Sequence, residues 1–228
     1  MDYSGNLVKF FDGPFPISIQ FQRVAPDTPT SLFGGHIQTG VINLLHCTQE
    51  KVLEHWEKQV RRGYVKKVQD IQLNGPVIEI VGQNPNTVFI TTPIGLYQSL
   101  GIRLPILVLV VKNLRKQFTF DILVLDDKNV RHHYKFSNRQ TTTRIKATCS
   151  YIPLRMEDGW NMLQINLQDV VFKTFGSNYK ECIRLQINAN CRLRRVGFGE
   201  SSPDQEQSEL PADLRAFVAE TRGITSDI

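Results

Sequence analysis

From His36 onward the chain repeats one pattern: short runs rich in Val, Ile, Thr, Phe and Tyr, separated by turn-forming residues. The runs fall at 36–47, 51–58, 63–67, 76–82, 87–92, 105–112, 117–125, 129–136, 143–149, 161–167, 181–189 and 191–198. Within several of them every second residue is apolar. Phe118, Phe120, Ile122 and Val124 share one face of 117–125; Leu163, Ile165 and Leu167 share one face of 161–167. Ile183, Leu185, Ile187 and Ala189 do the same in 181–189. Successive side chains of a strand point to opposite faces, so this period predicts half-buried strands. Asp126-Asp127-Lys128-Asn129, Asn74-Gly75-Pro76 and Asp158-Gly159 supply the turn chemistry between them. Eleven or twelve short strands cannot bury their apolar faces in one open sheet. They predict an all-β body of two packed sheets, a β-sandwich or jelly roll.

Helix is scarce. Gln168 to Phe175, stopped by Gly176, predicts two turns, and Pro211 to Glu220 predicts a short C-terminal helix with proline in its first turn. Before Gly34-Gly35, four prolines at positions 14, 16, 26 and 29 interrupt an irregular arm, in which 17–24 alternates as a short strand does. Phe10, Phe11, Phe15 and Phe21 are the argument for an arm that docks on a neighbour, with a disordered tail as the alternative. The reading is therefore an N-terminal arm over 1–35, a β-domain over 36–199, and an acidic linker with a C-terminal helix and tail over 200–228.

The 228 residues are enough for a substantial core, and the longest apolar run, Leu104 to Val111, is far too short to span a bilayer as a helix. No secretory signal pattern opens the chain, which places it in the cytosol. Cys47, Cys149, Cys182 and Cys191 form no C-x-x-C pair and read as free thiols in the core. His132 and His133 are adjacent, so on a strand they face opposite ways and cannot share a metal ion. Asp126 and Asp127 fall in a hairpin turn. The motifs of P-loops, dinucleotide-binding folds, nucleophile elbows and zinc proteases are all missing, and no acid, base and nucleophile group together. Trp56, Trp160, Tyr64 and Tyr97 read as packing residues, with a sugar-stacking platform as the alternative.

Charge changes the picture more. The net charge is +5, but residues 103–155 hold eleven Lys/Arg against three Asp, and 200–228 hold seven Asp/Glu against two Arg. Three basic groups stand out. Arg131, His133 and Lys135 share a strand face, and Arg144, Lys146 and Thr148 share another; a hairpin through 137–142, which itself carries Arg139, would merge the two. Arg192, Arg194 and Arg195 form a second group, and Lys112, Arg115 and Lys116 a third. Single exposed ion pairs are worth only about 0.2–1 kcal/mol, so such a surface needs a repeating acidic lattice to act on. A microtubule is one such lattice and nucleic acid another.

Several segments resemble the cilia- and flagella-associated protein 20 family: Lys112-Asn-Leu-Arg-Lys-Gln-Phe-Thr-Phe120, Val124-Leu-Asp-Asp-Lys-Asn-Val-Arg131, Gln140-Thr-Thr-Thr-Arg144, Glu157-Asp-Gly-Trp-Asn161, Asn188-Ala-Asn-Cys-Arg-Leu-Arg-Arg-Val196 and Glu209-Leu-Pro-Ala212. The resemblance covers about Ile37 to about Phe217. It implies a β-sandwich shaped like carbohydrate-binding modules, with no catalysis, cofactor, membrane or small-molecule substrate. It implies residence in the ciliary or flagellar axoneme and basal body, at the inner junction where the B-tubule closes on the A-tubule. The partners it implies are tubulin of both tubules, the Parkin co-regulated protein and other inner-junction proteins, and the role is doublet stability and motility. The first 35 residues are extra to the family pattern, and His132 and His133 stand where it has arginines, as in a divergent orthologue or a paralogue. Nucleic-acid binding and carbohydrate binding are the alternatives.

Overall fold

The computed structural model describes residues 31–200. In chain order these form β1 (Val41–His46), β2 (Glu57–Val60), β3 (Gly63–Asp70), β4 (Gly75–Gly82), β5 (Val88–Thr92), β6 (Ile106–Asn113), β7 (Thr119–Asp126), β8 (Arg131–Ser137), β9 (Ser150–Pro153), β10 (Gly159–Asn166), α1 (Leu167–Phe175), β11 (Tyr179–Asn188) and β12 (Cys191–Gly199). The first sheet runs β10-β6-β12-β4-β3, with β1 paired to the part of β12 beyond β4; the second runs β2-β5-β11-β7-β8-β9. The fold is a two-sheet β-sandwich.

The alternation read from the sequence is what joins the sheets. Leu107, Leu109 and Val111 of β6, with Leu193, Val196 and Phe198 of β12, face Phe120, Ile122 and Val124 of β7, Tyr134 and Phe136 of β8 and Leu185 and Ile187 of β11, and all are buried. Phe120 and Phe136 stack with ring centroids 4.6 Å apart. Each such side chain contributes about 1.5–3 kcal/mol by leaving water. The β7–β8 hairpin turns where predicted: Asn129 takes φ +59°, and one Asp126 oxygen accepts from the amides of Lys128 (3.0 Å) and Val130 (2.7 Å).

The helix α1 also forms where predicted. The Asn166 side chain accepts from the Asp169 amide at 3.2 Å, and Gly176, at φ +63°, closes the last turn. Its buried face carries Leu167 and Val171. Thr174 meets the buried Tyr134 hydroxyl at 2.8 Å, and Phe175 stacks on His132 at 4.1 Å. No helix of the described residues is long and apolar enough to cross a membrane. The predicted arm strand at 17–24, the acidic linker beyond Glu200 and the C-terminal helix at 211–220 lie outside the described residues.

Two predicted strands are corrected. Residues 51–55 form turns, and the strand begins only at Glu57. Residues 143–149 form no strand, so the basic hairpin through 137–142 does not exist. The free edge of β8 is occupied instead by β9, which runs parallel to it with Tyr134 opposite Ser150 and Ser137 opposite Pro153. Parallel neighbours require the chain to return to its starting end, a connection of roughly a dozen residues. Residues 138–149 are that return; a backbone bridge ties their Arg144 to Tyr151 of β9.

Candidate functional site

The outer face of the first sheet carries a polar row in register across five strands. Trp160 of β10 lies opposite Lys112 of β6, Lys112 opposite Arg192 of β12, Arg192 opposite Glu79 of β4, and Glu79 opposite Lys66 of β3. Asp70, at the end of β3, is buried beside this row. It accepts from Lys112 Nζ at 2.9 Å, Arg192 Nη1 at 2.7 Å and Trp160 Nε1 at 3.2 Å. Arg192 also donates to Glu79 at 2.7 Å, and the Tyr64 hydroxyl donates to the same carboxylate at 2.8 Å. Burial by itself would raise the Asp70 carboxyl, but the bonds from Lys112, Arg192 and Trp160 outweigh it and hold the group well below the usual carboxylate range. The same contest, with Tyr64 and Arg192 on the winning side, lowers Glu79. Two of the cations assigned to binding, Lys112 and Arg192, thus face two buried carboxylates of their own chain.

The other assigned cations divide in the same way. Arg195 is buried and donates to Asn43 Oδ1 at 2.7 Å; Arg194, displaced by a bulge in β12, donates to the Pro76 carbonyl at 2.7 Å. Arg115 makes an exposed ion pair with Asp158 at 2.7 Å. On β8, the face shared by Arg131, His133 and Lys135 is not a uniform charged surface. His133 is buried against Asp121 at 3.1 Å, Lys135 reaches the same oxygen at 3.7 Å, and only Arg131 is open to water. His132, on the core side as predicted, meets Asp126 at 2.8 Å. Burial raises Asp126, but that bond and the Val130 amide bring its carboxyl down to about 2. Lys116, Arg139, Arg144 and Lys146 remain exposed, Lys146 over the Tyr151 ring at 5.7 Å. The fold gathers Arg131 and the return segment along the β8–β9 side of the molecule, away from the β12 arginines.

A further open basic surface was not among the assigned residues. Lys58, Arg61, Arg62, Lys66 and Lys67 fall within ten residues that contain no acid, and all five are exposed. Here the chain steps from β2, the edge of the second sheet, to β3, the edge of the first. Arg62 makes the corner in the left-handed region, at φ +57°. Every ion pair found among the described residues lies elsewhere. Lys66 sits 4.3 Å above the Tyr64 ring, and Lys67 reaches only a backbone carbonyl, that of Gln49. The signal was present in the sequence as Lys58-Gln-Val-Arg-Arg-Gly-Tyr-Val-Lys-Lys67, but its split between two strands hid it.

The aromatic candidates do not line up. Trp56 is buried and donates to the Leu44 carbonyl at 2.8 Å. Trp160 and Tyr64 flank the polar row from strands at opposite ends of the sheet. Tyr97 is exposed, with Ile94 and Leu96, on a loop whose Pro93, Gly95 and Gln98 carbonyls are all held by the buried Arg184 guanidinium. The four cysteines are unpaired and all but Cys149 are buried; burial pushes the Cys47 thiol up to about 11. Among the described residues no three His, Cys, Asp or Glu side chains gather as metal ligands do.

A family model described as the CFA20 domain matches residues 32–218. The chain is 43% identical over 187 residues to a protein named cilia- and flagella-associated protein 20 of Chlamydomonas reinhardtii, covering 82% of this chain and 97% of that one. A protein of the same name from Caenorhabditis elegans is 39% identical, covering 82% of this chain and 91% of its own length. Among solved structures, a family 11 carbohydrate-binding module of Clostridium thermocellum aligns with a TM-score of 0.39 at 12% identity, covering 72% of this chain and 97% of the module.

Proposed function

The chain belongs to the CFA20 domain family, and from that premise we propose that it is a structural, non-catalytic protein of the ciliary and flagellar axoneme. Relatives that are named for cilia and flagella, and that align over nearly their whole length, support a cilium-related function. Within the cilium, the reading is a clamp at the inner junction of the doublet. It meets tubulin of the A- and B-tubules, with the Parkin co-regulated protein and other inner-junction proteins as neighbours, and supports doublet stability and motility. The observation that carries it is the 43% identity across 97% of the Chlamydomonas relative.

The chemistry fits attachment to an acidic lattice. Lys116, Arg131, Arg139, Arg144 and Lys146 are open to water and take the contact role. Lys112, Arg192 and Arg195, which face partners of their own chain, hold the scaffold. Each open contact is weak, and a repeating polymer makes the sum useful by supplying neighbouring sites at high effective concentration. The test is the position of a tagged copy in ciliated cells. Signal along the axoneme that survives detergent extraction is expected; a diffuse signal washed out by detergent contradicts the reading.

A further inference from the structure

The geometry points to the side wall formed by β2 and β3 as a docking site for an acidic, extended polypeptide segment of a partner, one rich in carboxylates. The strand β3 ends its sheet: it pairs with β4 along all eight residues from Gly63 to Asp70, and among the described residues no backbone bond joins it to anything else. A free strand edge is a row of unused donors and acceptors, ready for another strand. The charge around this edge selects the strand. Lys58, Arg61, Arg62, Lys66 and Lys67 repel a second copy of the same edge, which protects against self-association, and the same charges favour an acidic segment. The acids beside this wall face inward to cations of their own chain: Glu57 acts on the buried Arg184, Asp70 and Glu79 hold Lys112 and Arg192, and of the five wall cations Lys66 lies opposite Glu79.

This wall is separate from the basic surface on the β8–β9 side. The second sheet places β2 and β9 at opposite edges, five strand spacings apart, about 24 Å at roughly 4.8 Å each. That exceeds the screening length of about 8 Å at physiological salt, so the two surfaces act independently. The inference rests on the ciliary reading only for which polymer carries the acidic segment; the chemistry of the wall stands without it.

The test uses the full chain and a fluorescent peptide of about ten glutamates, with a glutamine peptide of the same length as control, read by anisotropy at ~0.15 M salt. The wild type binds the glutamate peptide and not the control. Arg61→Glu/Arg62→Glu/Lys67→Glu, with unchanged circular dichroism, weakens binding about ten-fold or more, while Arg131→Glu/Arg139→Glu/Arg144→Glu leaves it intact. Methylating alternate backbone nitrogens of the peptide, which keeps its charge but prevents strand pairing, also removes binding. Equal binding by the wall variant overturns the site, and undiminished binding of the methylated peptide overturns the docking mode. Carbodiimide cross-links from Lys66 or Lys67 to this chain's own Glu206 or Glu209 in the absence of peptide overturn the assigned occupant. Failure of the wild type to bind the glutamate peptide, together with an axonemal signal that survives detergent extraction, would remove the wall and leave the ciliary reading standing.

Discussion

Lys112 and Arg192 on the outer face of the first sheet, and Arg61, Arg62 and Lys67 on the wall beside it, carry the same charge in different surroundings. The first pair closes on Asp70 and Glu79 at 2.7–2.9 Å, so two cations and two anions cancel inside the face. The second group has no acid against it and stands in water at a free strand edge. What separates them is register. The pairing of β3, β4, β12 and β6 brings carboxylates from one hairpin beneath cations that lie far along the chain. A basic residue in sequence is a candidate for binding only once the fold has left it without an internal anion.

That difference can be broken in order of effect. Asp70→Ala should be the most costly change. It leaves Lys112 without its carboxylate and Arg192 with Glu79 alone, removes the acceptor of Trp160, and should cost about 3 kcal/mol in urea denaturation. A loss no larger than that of a surface control would show that the cluster is not a stabilising unit. Acid comes next. Asp70, Glu79 and Asp126 all have folded carboxyls below their unfolded values, Asp126 at about 2. Stability from these groups is complete above the unfolded value of about 4, and it falls as pH drops through the folded value. The unfolded chain takes up protons first. Denaturation midpoints should therefore decline on acidification below about pH 4, and a flat profile down to pH ~2.5 would contradict the assignment.

Smaller still is the stability effect of the wall. Arg61→Glu/Arg62→Glu/Lys67→Glu should change unfolding free energy by no more than about 0.5 kcal/mol per site, because these side chains bury nothing and pair with nothing acidic. A larger loss would mean that the wall is structural. Last is Arg115→Ala. Its ion pair with Asp158 is in water on both sides, with 78% and 64% of the side chains exposed, and the denaturation midpoint should not move.

Much of the fold was legible because the core is written in period two. Phe118 to Val124 alternates cleanly and leads into β7, and Leu185 and Ile187 do so in β11, but a bulge between Cys182 and Arg184 puts Cys182 in the core where the alternation predicts Ile183; Asp126 to Asn129 and Gly176 mark a hairpin and a helix end by local chemistry alone. Segment 143–149 alternates as well, through Ile145, Ala147 and Cys149, yet it is the return loop of a parallel pair. Alternation reports which side chains could be buried, not whether a neighbouring edge is free, and β9 had taken that edge. The candidate site was less legible for the same reason. Nothing local to Lys112 or Arg192 announces Asp70, which lies 42 positions before the lysine and 122 before the arginine. His133 reads as a charged-face residue until β7 places Asp121 opposite Lys135, within reach of the imidazole.

The most direct measurement is microtubule co-sedimentation over a salt series with three full-length proteins: wild type, Arg61→Glu/Arg62→Glu/Lys67→Glu, and Lys112→Gln. Binding that weakens with salt for the wild type, falls sharply for the triple variant and is unchanged for Lys112→Gln is the expected result, since only cations left open by the fold meet an acidic polymer. A loss for Lys112→Gln as large as that for the triple variant, with both proteins folded, would contradict it.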